Sequence, residues 1–393
     1  MARILLVTSE FEPFQSSGIN RLTFFKRYLE QQGHFVAVLT TVTSAQGLAS
    51  QAQIDEKHHL YRAYSLSLLA RRILSSRRIK IYQKLSKTGK YDIWIPFAVR
   101  KGKSLVKALN MDVVLSSFPD FASLKVAEKI AEVTKTKLIT DFRDPPYWIY
   151  DNIKSTAKSR YHQMIVEKAI SRSQCVLACT TLAKKSLAEH YNINEKITLI
   201  SNGYDAELIA QLPAYRAENK GIFEIVHIGS FYDDGRDIKP IVKALEGHST
   251  AQKPIKLRLV GDYPDAATIK YINEISKSLV VAIEPPVPIV KALSIAKQAD
   301  ALLLLQGQRF NRQIPAKVYE YLALNRPIWA VVGINGATHD LLKGYSANVV
   351  ISDYNDENDI CLGTKQLLDF EAKVIDSIAL SRQAQAAGLQ HLF

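Results

Sequence analysis

Residues 301–333 read ALLLLQGQRFNRQIPAKVYEYLALNRPIWAVVG. The run ALLLLQ (301–306) is apolar without alternation, which predicts a strand covered on both faces. A polar, basic loop follows, with Arg309, Arg312 and Gln313. Pro315 suits the opening of a helix, where its missing N–H is not needed. That helix carries Lys317 and Glu320 in its first turns, and PIWAVVG (327–333) reads as the next buried strand. Strand, loop, helix and strand in this order form the repeating unit of a doubly wound parallel sheet.

The same rhythm runs outward in both directions. FEIVHIG (223–229), IKLRLVG (255–261), LVVAIE (279–284) and NVVISD (348–353) are strand-like in the second half. ARILLVT (2–8), HFVAVLT (34–40), DVVLSS (112–117), KLITDF (137–142) and QCVLACT (174–180) are strand-like in the first. Helical patterns such as Ile19–Gln32 and Phe121–Val133 lie between them. A chain of 393 residues is long for one domain and suits two. The seam is expected between Asn202 and Gly221, where SNGYDAEL carries an Asn-Gly turn and LPAYRAENKG is polar. The fold class is therefore α/β, with Rossmann-like lobes at 1–208 and 209–375. Ligands bind beyond the carboxyl ends of such strands, so an interlobe cleft is expected to hold the chemistry.

Hydrophobic residues make up 47% and charged residues 23%, enough apolar material for two ordinary cores. No stretch approaches the roughly 18 apolar residues of a membrane span. The N-terminus reads as a first strand rather than a signal peptide. Three cysteines without a CxxC fit a reduced, cytosolic compartment and no zinc site. The net charge of +13 is concentrated: fourteen basic residues lie between Lys57 and Lys107, against the single acid Asp92. Within it, YSLSLLARRILSSRRIKIYQKL (64–85) combines an apolar stripe with flanking arginines, which suits an anionic membrane surface or a solvated helical face. Nucleic acid is not the expected partner, since no recognisable motif or repeated aromatic platform accompanies the charge.

Four loops are candidate sites. SEFEPFQSSGINRL (9–22) joins the first strand to a helix, and Gly18 lets backbone approach a ligand or simply makes a turn. It is not a GxGxxG. TDFRDPPYWIYD (140–151) sets Asp141, Arg143 and Asp144 among prolines and aromatics, either as a site or as an ion pair. IGSFYDDGRDIKPIVKALE (228–246) brings Gly229, Arg236 and Lys239 to a helix start, a diphosphate site unless Asp233, Asp234 and Asp237 neutralise it. In the fourth, at 307–333, Arg312 and Lys317 suit a phosphate and Glu320 suits ribose hydroxyls or the helix dipole. No metal site is expected: Asp233–Asp234 has no spaced partner, and DYNDENDI (353–360) lacks the pattern of a calcium loop.

In order, these segments resemble glycosyltransferase family 4, the retaining GT-B enzymes. The resemblance is carried by the Gly18 loop with QQGHFVAVLTT (31–41), ISNGYD (200–205), HIGSFYDDGRDIKPIVKAL (227–245), LRLVGD (257–262) and IPAKVYEYLALNRPI (314–328). It implies an acceptor-binding first lobe and a second lobe that binds a nucleotide sugar. Glu320 would contact the donor ribose, Arg236 and Lys239 would neutralise the diphosphate, and Gly18 would approach the donor across the cleft. A C-terminal helix at 376–393 would pack back on the first lobe. No bound metal and no cofactor are implied; the donor would be a UDP- or GDP-sugar. Three departures stand out. Arg312 occupies the position of the family's first paired glutamate. Lys239-Pro240 replaces Lys-Gly. The first-lobe histidine is not evident in SSFPDFASL (116–124), where Asp144 is expected to supply polar contact instead.

The resulting expectation is a retaining hexosyltransferase that acts on a glycan or lipid-linked acceptor in cell-surface polysaccharide or glycolipid synthesis. It would work from the cytoplasmic face, with residues 57–107 on the membrane. A nucleotide-sugar epimerase of the same fold and an inactive glycosyltransferase-like binding protein are the alternatives.

Overall fold

The computed structural model describes residues 1–12, 17–42, 58–64, 86–88, 91–149, 156–215, 221–231, 235–262 and 264–393. They form two compact units, Met1–Ser201 with Ala386–Phe393, and Asn202–Gln385. The amphipathic run 65–85 and the Asp233–Asp234 pair lie outside the described residues, as do Pro13 and Ser16.

The first unit is a seven-stranded sheet. Its strands are β1 (Arg3–Val7), β2 (Phe35–Thr41), β3 (Leu60–Ala63), β4 (Val113–Phe118), β5 (Lys137–Phe142), β6 (Cys175–Ala178) and β7 (Ile197–Leu199). They lie in the order β3-β2-β1-β4-β5-β6-β7, and every pairing is parallel. Helices α1 (Ser17–Gln31), α2 (Trp94–Ala108), α3 (Phe121–Thr134), α4 (Ala157–Arg172) and α5 (Thr181–Tyr191) connect them. Alternation along β1 sends Ile4 and Leu6 into one core cluster and Leu5 and Val7 into another. Both faces are thus apolar, which is why these strands read as unbroken hydrophobic runs. β3 and β7, four and three residues long, were not legible in that way.

The second unit repeats the design. Strands β8 (Phe223–Ile228), β9 (Ile255–Val260), β10 (Val280–Glu284), β11 (Ala301–Gln306), β12 (Ile328–Val332) and β13 (Val349–Asp353) lie in the order β10-β9-β8-β11-β12-β13. All pair in parallel. The helices are α6 (Ala206–Ala210), α7 (Lys239–His248), α8 (Ala266–Ile275), α9 (Ile289–Lys297), α10 (Ala316–Leu324), α11 (Ala337–Lys343), α12 (Glu357–Leu368) and α13 (Arg382–Ala386). In β11, Leu302 and Leu304 enter one cluster, Leu303 and Leu305 the other.

Two boundaries differ from the sequence reading. The units divide after Ser201, not after residue 208. Tyr204 is buried in the second unit's core, receives a bond from Arg382 N and donates to Leu380 O, so ISNGYD is tied to residues 380–382. The C-terminal run expected to be helical is broken. Lys373 N donates to Ala347 O and Ile375 N to Asn325 Oδ1, so these backbone groups serve other elements instead of a helix. Only α13 and short 3₁₀ turns follow. Ala386 and Leu389 are buried in the first unit's core beside Ile4 and Leu6. Among the described residues, no helix is long and apolar enough to cross a membrane.

Candidate functional site

In each doubly wound sheet the strand order reverses once, and the loops at that point are placed to hold a ligand. In the second unit the reversal lies between β8 and β11.

At the end of β8 the backbone turns through Gly229 with φ +143°, and β9 ends likewise at Gly261 with φ +149°. A Cβ on Gly261 would stand 2.1 Å from the Gly229 carbonyl oxygen, so the two strand ends meet backbone against backbone. A Cβ on Gly229 would lie 2.7 Å from Lys317 Nζ. α10 delivers that lysine. Its ammonium donates to the Ile228 carbonyl at 2.8 Å, while Tyr321 Oη accepts from Ile228 N at 3.0 Å. Spacing of i and i+4 puts both side chains on one face of α10, which therefore grips both backbone groups of Ile228.

Charge collects around this grip. Burial, then the neighbouring Arg236 charge, push Lys317 down to about 7, with Glu320 acting the other way. Glu320 is raised by burial, against the pull of Arg382 and Lys317. Arg236 Cζ sits 5.2 Å from the Phe310 ring centre. α10 opens at Pro315, which makes no side-chain cap hydrogen bond. A half-buried lysine, an arginine and an uncapped helix start are what an anion site requires.

The loops are locked from beneath. Gly307 N donates to Gly235 O at 2.7 Å, and a Cβ on Gly307 would lie 2.7 Å from Gly235 Cα. Gln306 Nε2 donates to Phe310 O and Gln313 O at 2.8 and 3.1 Å, and its Oε1 accepts from Thr338 Oγ1 at 2.7 Å. Arg312 rides half-buried on this pinned loop. Lys239 is the first residue of α7, and its charge helps lower Asp265, the cap of α8. Gly229, Arg236, Lys317 and Glu320 therefore form one cluster, and Lys239 faces a different carboxylate.

The first unit reverses between β1 and β4. Here Asp141 proves structural. Arg21 donates to its two oxygens at 3.1 and 2.8 Å, and Ser117 Oγ donates at 2.8 Å. The same guanidinium reaches Ile200 O and Ser201 O, fixing the point where the chain leaves the unit. Arg143 bonds Phe118 O at 3.1 Å, and its guanidinium fills the space beside Gly18, where a Cβ would lie 2.1 Å from Nη1. Gly18 thus makes room for Arg143. Asp144 is half-buried; burial raises its carboxyl, Arg143 opposes, and Asp141 adds to the rise.

His227, Tyr321, Phe310 and Gln306 were missed in the sequence. A histidine inside a strand between apolar neighbours, VHIG, was the one legible signal among them.

Two all-parallel doubly wound units, the second with its cations gathered at strand ends, define the GT-B fold. Residues 20–208 match the family model described as Glycosyltransferase Family 4, and the resemblance read from the sequence stands. No curated protein sequence matches the chain. Among solved structures, the lipopolysaccharide outer core galactosyltransferase WaaB superposes with a TM-score of 0.63 at 11% identity, covering 100% of this chain and 98% of that one. HepE from Anabaena in complex with UDP gives 0.61 at 13%, covering 100% and 95%. An epimerase described as acting on UDP-N-acetylglucosamine, from Listeria monocytogenes, gives 0.52 at 10%, covering 98% and 91%. At these identities the likeness is one of fold.

Proposed function

We propose that the chain is a retaining glycosyltransferase that takes a sugar from a UDP- or GDP-sugar. The second unit binds the nucleotide at the Gly229–Arg236–Lys317–Glu320 cluster, and the first unit holds the acceptor near Asp144. The carrying observation is the Lys317 ammonium set beside Gly229 with Arg236 facing it. When the sugar–phosphate bond breaks, charge builds on the diphosphate, and prepositioned cations stabilise it without reorganising. Glu320, three residues along α10, is placed for ribose hydroxyls. Arg312 assists as a further cation. A glycan or lipid-linked acceptor at the cytoplasmic face of a membrane, reached through the basic segment 57–107, fits the concentrated charge. No metal or cofactor is assigned a role.

The test is release of UDP or GDP from a panel of nucleotide sugars, with and without membrane extracts that supply acceptors. Acceptor-dependent release that falls by about 10²–10³ in Lys317→Ala supports the reading. Conversion of the donor sugar without acceptor would make the protein an epimerase. Binding without turnover would make it an inactive relative.

A further inference from the structure

His227 is fully buried in β8, and its Nδ1 lies 3.0 Å from the Leu303 carbonyl. A carbonyl can only accept, so Nδ1 carries the proton and Nε2 is left as a bare lone pair. Nε2 has no hydrogen-bond partner and is buried. An unsatisfied buried acceptor of this kind is costly and calls for an explanation. Its position supplies one. The point where Gly229 would carry a Cβ is 3.6 Å from His227 Nε2 and 2.7 Å from Lys317 Nζ. The cations that face His227 are Lys317 and Arg236. Burial, Lys317 and Arg236 together hold its imidazole well below the usual range, and so neutral.

We propose that His227 is a positioning residue for the donor diphosphate: when an anion binds, its Nε2 accepts from the Lys317 ammonium and aims another N–H of that ammonium at the phosphate. An ammonium has three donors. The Ile228 carbonyl takes one, the imidazole lone pair a second, and the ligand the third. Among the described residues, the titratable and charged groups that face Lys317 are Arg236 from the loop after β8, His227 from β8 and Glu320 from α10, with Arg382 beyond Glu320. The Arg236 charge opposes protonation of Lys317, and Glu320 favours it. Binding a diphosphate therefore draws a proton onto Lys317 above neutral pH, and His227 makes that protonated state easier to reach.

The inference rests on the nucleotide reading of this cluster, and the experiment separates the two. UDP and GDP are titrated calorimetrically into the whole chain between pH 6 and 8.5, in buffers of different ionisation enthalpy. The wild type should take up close to one proton per nucleotide at pH 8, with affinity falling about tenfold per pH unit above 7. His227→Asn keeps a donor for Leu303 but has no acceptor at the Nε2 position. It should begin losing affinity at lower pH. His227→Gln can place its amide oxygen at the Nε2 position and should retain the wild-type profile. A merely structural histidine predicts the reverse: Asn like wild type, Gln impaired. That result, or zero proton uptake by the wild type, overturns the proposal; where His227→Asn does not fold, His227→Gln decides, a wild-type profile supporting the proposal and an impaired one overturning it. If neither nucleotide binds at pH 6, the nucleotide reading itself falls.

Discussion

Arg21 and Asp141 form a bidentate ion pair in the first unit, with side chains 5% and 0% exposed. The pair joins α1 to β5, and the same guanidinium holds the chain at Ile200 and Ser201. Removing one partner of a buried pair leaves the other charge uncompensated, at a cost of about 3–5 kcal/mol. Asp141→Ala should lower the stability of the first unit by that amount in urea unfolding. A loss under about 1 kcal/mol would mean that the pair is solvated, like a surface bridge.

Gly229→Ala tests the strand-end grip. The new methyl group meets Lys317 Nζ and must adopt φ +143°, a conformation that costs about 1–3 kcal/mol. Nucleotide affinity should fall at least tenfold, because Lys317 is displaced from Ile228. Gly33→Ala is the control for backbone strain, since it has φ +84° with nothing within 4 Å of its Cβ. Equal affinity in Gly229→Ala and wild type, by calorimetry, would separate Lys317 from the ligand.

The strands were legible because parallel sheets bury both faces, and runs such as ALLLLQ have no other use. The helix opened by Pro315 was legible from its punctuation. The roles of charged residues were not. Asp141 lies near the end of β5 and Asp144 three residues further on, yet Asp141 is held by Arg21, 120 residues away in sequence, and Asp144 is left half-buried after Arg143. Nothing local distinguishes them, since the pairing exists only after α1 packs on β5. Lys239 looked like a partner of Arg236, but the first turn of α7 sends it toward Asp265. The C-terminal helix expected at 376–393 is reduced to α13 and 3₁₀ turns, and the backbone just before it bonds to other elements.

Asp144 has its carboxyl raised by burial, so in the window above the ordinary carboxylate value the folded state holds more protons than the unfolded. Its contribution to stability is complete below the unfolded pKa and is lost as pH rises through the folded one. Asp144→Asn, a permanent neutral mimic, should melt at or above the wild-type temperature at pH 7.5 while acceptor-dependent turnover drops at least tenfold. Full turnover would remove Asp144 from the acceptor site.

Lys317 shows the opposite linkage. Its folded pKa is pushed down to about 7 from an unfolded value near 10.5. Between these values the unfolded state binds more protons, so its contribution makes the fold more stable as pH rises. Without nucleotide, Lys317→Met should be more stable than wild type at pH 7, with the gap narrowing toward pH 9. Melting curves at the two pH values check this, and a gap that widens would contradict the assignment.

The central claim is that the second unit binds a nucleoside diphosphate sugar through α10. Thermal-shift titrations of wild type and Glu320→Ala with UDP, GDP, ADP, CMP and their sugar conjugates test it most directly. A ligand that binds only the folded state raises its stability by about 2.7 kcal/mol at a hundredfold excess over Kd. The account predicts that UDP or GDP and the matching sugar stabilise the wild type, and that the shift collapses in Glu320→Ala. An undiminished shift in the variant, or no shift in the wild type with any nucleotide, would contradict it.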